Sequence, residues 1–124
     1  MSCEIQVFCE INPSEDPSKV KTAVLNIFPE LEISISDELL IGKSNDIGTL
    51  SNISESIHTK NTKNTYQRIL KKNSNENSTW FYLNKQAAFV STVALCNESD
   101  ESPLGPIKVV LEGKNIENTI QSLT

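Results

Sequence analysis

The sequence predicts an α+β fold in which an antiparallel-rich sheet carries its helices on one face. Three observations support this prediction: segments of alternating hydrophobicity, segments with a helical stripe of apolar residues, and helices that come singly or in pairs between the strands. The predicted order is β-α-β-β-α-α-β-β-β-α, in two layers. A length of 124 residues predicts a single α+β domain, residues 1–124.

The first strand and the first helix have the clearest patterns. Residues 4–12 alternate, with every second residue apolar, which is typical of a strand with one core face. Asp16 and Pro17 then indicate a helix start, because Asp caps the first turn and Pro needs no N–H there. Apolar residues follow at helical spacing as far as Phe28, and Pro29 ends the helix.

The middle of the chain predicts a hairpin followed by two helices. Residues 31–36 and 39–41 form two short strands, joined by a turn at 37–38. From residue 44 the apolar residues recur at three- and four-residue steps, which predicts a helix. A second helix begins at about Thr62 and exposes several basic residues.

The last third predicts three strands and a short helix. Residues 80–83 and 88–96 are apolar on both faces and predict two buried strands. The polar residues 84–86 between them predict a turn, although they could also form part of a site. A third strand covers residues 107–112, and residues 114–123 predict a final helix.

One sheet face has more apolar residues than a layer of helices can cover. Phe8 faces away from the predicted core, together with either Trp80 and Tyr82 or Phe81 and Leu83. A monomer rarely leaves such a patch in water. We therefore predict a homodimer through this sheet face or through a sheet edge, with Phe8, Trp80 and Tyr82 as interface residues.

The charge distribution directs any anionic partner to one segment. The net charge of −5 disfavours general attraction to phosphate backbones, but residues 57–85 hold six basic residues and one acidic residue, a local net charge of +5. A solvated helix face would have the same composition. The candidate RNA-contacting residues are Lys60, Lys63, Arg68, Lys71, Lys72 and Lys85.

Catalytic and cofactor motifs are absent from the sequence. His58 is the only histidine, so one chain cannot supply a His-based triad or a multi-His metal site. No phosphate-binding glycine motif is present, and we predict no cofactor, no metal and no enzyme activity. An enzyme would require carboxylates converging in a deep pocket around residues 97–105, where Glu98, Asp100 and Glu101 cluster.

The same composition predicts a cytoplasmic protein. The N-terminus lacks a basic region followed by an apolar one, and no apolar run approaches the ~20 residues of a membrane span. Three cysteines without a CxxC motif indicate reduced thiols. Cys9 and Cys96 lie in apolar segments, which is typical of buried structural thiols.

Three segments, NPSEDPSKVKTAVLNIFP (12–29), NSTWFYLNKQAAFVSTV (77–93) and DESPLGPIKV (100–109), resemble an archaeal family of uncharacterised proteins. This family is labelled, by prediction, as RNA-binding or exosome-associated, and its fold is similar to large-ribosomal-subunit protein five. The resemblance implies an α+β domain and an RNA or ribonucleoprotein partner, and it brings no catalytic residues. Residues 44–73 depart from the family pattern, because Arg68 is their only arginine.

Two functions follow from these observations. The first is a homodimeric, non-catalytic cytoplasmic module that contacts RNA through the basic residues of the 57–85 segment. The alternative is a homodimeric protein–protein interaction or scaffold component that does not bind RNA. Nothing in the sequence indicates DNA or a membrane as a partner.

Overall fold

The computed structural model describes residues 3–96 and 105–124, and for Ile47 its backbone only. The strands are β1 (Glu4–Glu10), β2 (Glu32–Ser36), β3 (Leu39–Ser44), β4 (Ser78–Leu83), β5 (Leu95–Cys96) and β6 (Ile107–Glu112). The helices are α1 (Pro17–Ile27), α2 (Ser51–Thr59), α3 (Lys63–Lys72), α4 (Lys85–Phe89) and α5 (Ile116–Leu123). A short 3-10 helix, Ile47–Leu50, leads into α2.

The six strands of the described residues form one antiparallel sheet in the order β2-β3-β1-β6-β4-β5. The first strand is therefore internal, with Val7 between Gly42 of β3 and Val109 of β6. The edges are β2 on one side and the two-residue β5 on the other. This arrangement confirms the predicted α+β class with an antiparallel sheet.

The core lies between the helices and one face of the sheet. Alternate residues of β1, β4 and β6 are buried, and the residues between them are half-buried or exposed. The largest fully enclosed aromatic side chains are Phe28, just after α1, and Phe81 of β4. The other sheet face carries no helix within the described residues, as the two-layer prediction requires.

The first helix begins as predicted. The side chain of Asp16 accepts a hydrogen bond from the backbone N–H of Ser18 at 3.0 Å, and Pro17 occupies the first helical position. Val20, Val24 and Phe28 are fully buried, which confirms the predicted helical stripe.

The predicted strand at 88–96 is wrong. Residues 85–89 form α4, and only Leu95 and Cys96 join the sheet. The turn predicted at 84–86 is also wrong, because Asn84 caps this helix by accepting a hydrogen bond from the Ala87 N–H at 2.9 Å. Asn is favoured both in turns and at helix N-caps, so the residue alone did not distinguish them. The loop predicted at 97–102 lies outside the described residues.

Candidate nucleic-acid interface

Helix α3 forms where apolar residues recur at helical spacing in a polar segment. Its buried residues are Tyr66, Ile69 and Leu70. The carbonyl of Leu70 accepts a hydrogen bond from Thr79 Oγ1 at 2.6 Å. Asn73, which follows the helix, donates from Nδ2 to the Trp80 carbonyl at 2.9 Å. These contacts hold α3 against β4 and determine which of its side chains face outward.

The outward side of α3 is basic. At about 100° of rotation per residue, Arg68, Lys71 and Lys72 project away from the buried stripe, and all three are exposed. Lys63 is exposed in the first turn. The helix contains four basic residues and no acidic residue. Lys71 and Lys72 also lie in its last turn, where the helix dipole favours positive charge.

These four cations have no intramolecular partner in the part of the chain that the structure describes. Neither an ion pair nor a side-chain hydrogen bond involves Lys63, Arg68, Lys71 or Lys72 there. An unpaired exposed cation can meet a phosphate without giving up an existing contact. Arg68 adds a planar fork of donors that matches phosphate oxygens in pairs. The four side chains therefore form the basic surface of α3, a name used below for this set.

Lys60 and Lys71 mark the limits of this surface. Lys60 is exposed, but its Nζ donates to the Val93 carbonyl at 2.9 Å, so its ammonium is held at the loop after α4. Lys71 lines a hollow of about 450 Å³ between α3 and α5 that also contains Glu76 and Glu117. The least obstructed cations of α3 are consequently those away from this hollow.

The position of Lys85 in the structure differs from the position that the sequence predicts. The sequence predicts Lys85 in an exposed turn between two strands, yet its side chain is 0% exposed. Its Nζ donates to the Glu10 carbonyl at 2.7 Å and to Glu15 Oε1 at 3.0 Å. Because α4 replaces the predicted hairpin, the side chain points into the protein. A side chain enclosed in this way cannot reach a phosphate backbone, and Lys85 is removed from the candidate RNA contacts.

The carboxylate of Glu15 is almost as enclosed as its partner, with 7% of its side chain exposed. Its Oε1 accepts from the Asn12 backbone N–H at 3.0 Å and from Asn12 Nδ2 at 2.9 Å, besides Lys85. Burial alone would raise the pKa of Glu15, but the hydrogen bonds from Asn12 and Lys85 outweigh it and lower the pKa below its ordinary value. The second oxygen, Oε2, is buried and has no hydrogen-bond partner among the residues that the structure describes.

The open face of the sheet carries the three predicted interface residues. Phe8, Trp80 and Tyr82 are half-buried, whereas Phe81 and Leu83 point into the core. The rings of Trp80 and Tyr82 meet edge to face, with centroids 5.0 Å apart. Phe8 and Tyr82 both pair with the same residue of β6, so the three aromatic residues share one region of the open face.

Sequence reasoning missed the residue of β6 between these aromatic side chains. Lys108 lies between Phe8 and Tyr82, and its Nζ is 5.0 Å from the centre of the Trp80 ring. This geometry is a cation–π contact. The alternation of Ile107–Glu112 does indicate which face Lys108 occupies, but its register against β4 could not be read from the sequence.

The described residues offer no metal site. In the described ranges no group of three or more His, Cys, Asp or Glu residues could hold a metal ion. Glu98, Asp100 and Glu101, on which the enzyme alternative depended, lie outside the described residues. No helix of the described chain is long and apolar enough to cross a membrane.

Comparisons with known proteins agree with the fold and the predicted family. A family model described as RNA binding matches residues 4–112. A UPF0201 protein from Methanothermobacter thermautotrophicus is 42% identical over 120 residues, which cover 97% of this chain and 89% of the relative. The chain belongs to the UPF0201 family. A second member, from Sulfurisphaera tokodaii, is 34% identical and is matched over 98% of this chain and 86% of its own length.

Solved UPF0201 structures share this fold. The crystal structure of a UPF0201 protein from Methanococcus jannaschii superposes with a TM-score of 0.83 at 29% identity, over 97% of this chain and 91% of that one. Another UPF0201 crystal structure gives a TM-score of 0.80 at 32% identity, over 94% and 89% of the two chains. The predicted archaeal family is thereby confirmed.

In this UPF0201 chain, the segments that carry the family resemblance meet at one end of β1. Asn12 and Glu15 come from the first segment and Lys85 from the second, and they join in the buried polar cluster around the Glu10 carbonyl. Gly105, from the third segment, has a φ of 86° and lies beside Glu10. These segments therefore build the fold, whereas α3 lies outside them, and any RNA contact must be argued from α3 itself.

Proposed function

We propose that this UPF0201 protein is a non-catalytic RNA-binding module that contacts phosphates through the basic surface of α3. The observation that carries the proposal is a set of four exposed cations on one ten-residue helix, none of them paired with another described residue, in a chain whose net charge is −5. Positive charge that is concentrated on one face of an otherwise acidic protein directs an anionic partner to that face. Lys60 lies at the border of the basic surface of α3.

The family match supports the same proposal. The residues matched by the model described as RNA binding, 4–112, include all of α3. A fold similar to large-ribosomal-subunit protein five and an association with the exosome are further parts of the proposal, and both favour a structured RNA as the partner. The three cysteines are buried and form no disulfide among the described residues, which supports a reducing, cytoplasmic location.

The charge balance predicts how the RNA is bound. With a negative net charge, binding depends on the few phosphates that α3 can reach, so the affinity should be modest and should fall as salt increases. A helix of ten residues is about 15 Å long, which limits the contact to a short stretch of backbone. We therefore expect little dependence on base sequence.

Charge reversal tests this proposal directly. The variant Arg68→Glu/Lys72→Glu removes two cations of the basic surface, and Lys19→Glu/Lys21→Glu makes the same change in net charge at exposed positions of α1. We expect the α3 variant to lose binding to a structured RNA in a fluorescence anisotropy titration, and the α1 variant to retain most of it. Equal losses in both variants would mean that only the overall charge matters, and would contradict the proposal.

A protein–protein interaction module remains the second candidate. The observation that favours it is the open sheet face, where Phe8, Trp80 and Tyr82 form an aromatic patch without a covering helix in the described chain. The partner that we propose for this patch is a second copy of this chain. Trp80→Ser/Tyr82→Ser should then convert a dimer to a monomer in sedimentation equilibrium, and a dimer that survives this change would exclude the open face as its interface.

A further inference from the structure

Strand β2 has a free outer edge. It pairs with β3 on one side, in a register that runs from Glu32 opposite Lys43 to Ser36 opposite Leu39. On its other side no backbone hydrogen bond is made with residues 3–96 or 105–124, the ranges that the structure describes. A row of unpaired N–H and C=O groups is a template for another strand, so the chemistry of this edge specifies an extended backbone as its partner.

The turn between β2 and β3 determines which groups face outward. Two residues, Asp37 and Glu38, join the strands, and in such a hairpin the flanking residues Ser36 and Leu39 form a hydrogen-bonded pair. Hydrogen-bonded and non-hydrogen-bonded pairs alternate along an antiparallel ladder. Ser34 therefore also bonds to β3, and the backbone groups of Ile33 and Ile35 point to the free edge.

This edge has few of the features that usually prevent pairing, since its one charged residue, Glu32, lies at the start of the strand. Its sequence, Glu-Ile-Ser-Ile-Ser, contains no Pro and no Lys, and its register with β3 is continuous without a bulge. Ile35 is 43% exposed, although it belongs to the face that packs against the helices. A second strand beside β2 would cover this side chain.

We propose that β2 pairs antiparallel with β2 of a second copy, in a register centred on Ser34. In this register Ile33 lies opposite Ile35 of the other copy, and their outward N–H and C=O groups bond reciprocally. Both isoleucines of each copy lie on the helix side of the sheet, so four of them form one apolar strip. Glu32 lies opposite Ser36, which avoids facing one carboxylate with another.

Two other registers of the β2–β2 pairing, shifted by one or two residues, are less favourable. A shift of one residue would place outward-facing backbone groups opposite inward-facing ones and would move the isoleucines to opposite faces. A shift of two residues would keep the faces but would leave residues at the strand end unpaired. The register centred on Ser34 is the one that pairs all five residues of β2.

The pairing would join two six-stranded sheets into one sheet of twelve strands with both open faces on the same side. It leaves Trp80 and Tyr82 uncovered, so it differs from a dimer through the open face. Because α3 packs on β4, the fifth strand from the paired edge, the two basic surfaces would lie about 43 Å apart at ~4.8 Å per strand. The pairing itself does not depend on RNA binding.

Cysteine cross-linking tests the register. At the centre of the pairing the two copies of Ser34 face each other as a non-hydrogen-bonded pair about 4.5 Å apart, within disulfide range. Ser34→Cys should form a covalent dimer under mild oxidation. Ser36→Cys is the matched control, since its two copies would be roughly 13 Å apart along the strands. The native chain is a second control, because its three thiols are buried.

The relative rates at which Ser34→Cys and Ser36→Cys form covalent dimers decide between the proposed register and random collision. Rapid dimerisation of Ser34→Cys alone supports the register. Equal rates for Ser34→Cys and Ser36→Cys would indicate random collision, and no covalent dimer from Ser34→Cys would exclude the pairing; either result overturns the proposal.

A dilution series in sedimentation equilibrium tests the dimer without a new cysteine. The paired edge buries less than the ~1,200 Å² of a standard interface, so the dimer should dissociate on dilution. Ile35→Pro removes an outward N–H from each copy and leaves the β2–β3 ladder intact, and it should raise the dimer dissociation constant about ten-fold or more. Trp80→Ser/Tyr82→Ser should leave it unchanged. A native chain that is monomeric throughout, or a dimer sensitive only to the open-face variant, would overturn the proposal.

Discussion

Lys85 Nζ lies 3.0 Å from Glu15 Oε1, and this ion pair is enclosed between the start of α4 and the loop that leads into α1. The same ammonium bonds to the Glu10 carbonyl at the end of β1. One side chain therefore connects α4 to the end of β1 and the loop before α1, which lie 75 and 70 residues away in sequence. The exposed cations of α3 have no such contacts in the described residues. Loss of the Lys85 contacts should therefore affect stability and not RNA binding.

Removal of the ammonium should destabilise the protein strongly. Lys85→Met keeps the length of the side chain but leaves the Glu15 carboxylate buried without its cation, so we expect the free energy of unfolding to fall by about 3–5 kcal/mol. Urea unfolding followed by circular dichroism measures this loss. Lys114→Met, at an exposed lysine, is the matched control and should change the free energy by less than about 0.5 kcal/mol.

The coupling between the two residues can be measured in a double-mutant cycle. Glu15→Gln/Lys85→Met removes both charges, so it should cost clearly less than the sum of the two single changes. Strict additivity would mean that the pair does not act as a unit, and a cost below ~1 kcal/mol for Lys85→Met alone would contradict the buried-pair account.

The depressed pKa of Glu15 predicts how stability depends on pH. A carboxyl group whose folded pKa lies below its unfolded value stabilises the fold above the unfolded pKa, and this stabilisation is lost as the pH falls through the folded value. We therefore expect the free energy of unfolding to decrease as the pH is lowered below about 4.5. Glu15→Gln should weaken this dependence, and equal pH profiles for the two proteins would be inconsistent with the assignment.

The cysteines should be unreactive in the folded protein. Burial raises the pKa of the Cys9 thiol to about 11, despite the opposing effect of the Lys85 ammonium, and burial also raises the pKa of Cys3. A thiol-specific reagent at pH 8 should therefore modify the native protein slowly and should titrate three thiols in denaturant. A thiol that reacts equally fast in both conditions would show that its site is open.

Substitution of Gly42 should be destabilising because the Leu31 side chain fills the space beside it, and not because its backbone requires a positive φ. A Cβ at this buried position would overlap the Leu31 side chain, so we expect Gly42→Ala to lower the free energy of unfolding by about 1–3 kcal/mol. Leu31→Ala supplies the control background. In that background the cost of Gly42→Ala should largely disappear, and an unchanged cost would locate the conflict elsewhere.

Local patterns were sufficient for much of the fold. The stripe from Val20 to Phe28, with Asp16 as cap, specified α1, and strict alternation specified the buried face of β1. The hairpin of β2 and β3 also followed from alternation and a short turn. These elements could be predicted because the apolar residues of each repeat at one spacing, typical of a helix or of a strand, and because a cap or a turn marks where the element begins or ends.

The region from Asn84 to Cys96 could not be predicted in the same way. Its apolar residues suit a strand or a buried helix equally well, and Asn84 suits a turn or a cap. The choice depends on tertiary contacts, above all on the buried acceptors at Glu10 and Glu15 that take up the Lys85 ammonium. A lysine is rarely buried, so composition favoured an exposed position that the structure does not give it.

One part of the candidate site could be predicted from the sequence and another part could not. The exposed cations of α3 followed from helical periodicity, because the buried residues of a helix determine which residues lie opposite them. The contact of Lys108 with Trp80 depends on the register between β6 and β4, which joins distant parts of the chain. Sequence patterns give faces of elements, whereas the pairing between elements comes from the structure.

The dependence of RNA affinity on salt tests the central claim most directly. For about four phosphate contacts on a structured, double-stranded RNA, the logarithm of the binding constant should fall with the logarithm of salt concentration with a slope of about −3 to −4. Arg68→Ala/Lys72→Ala removes two of these contacts and should make the slope shallower by about two units, while Lys19→Ala/Lys21→Ala should leave it unchanged. No binding by the native chain at low salt, or the same slope in all three proteins, would contradict RNA contact through α3.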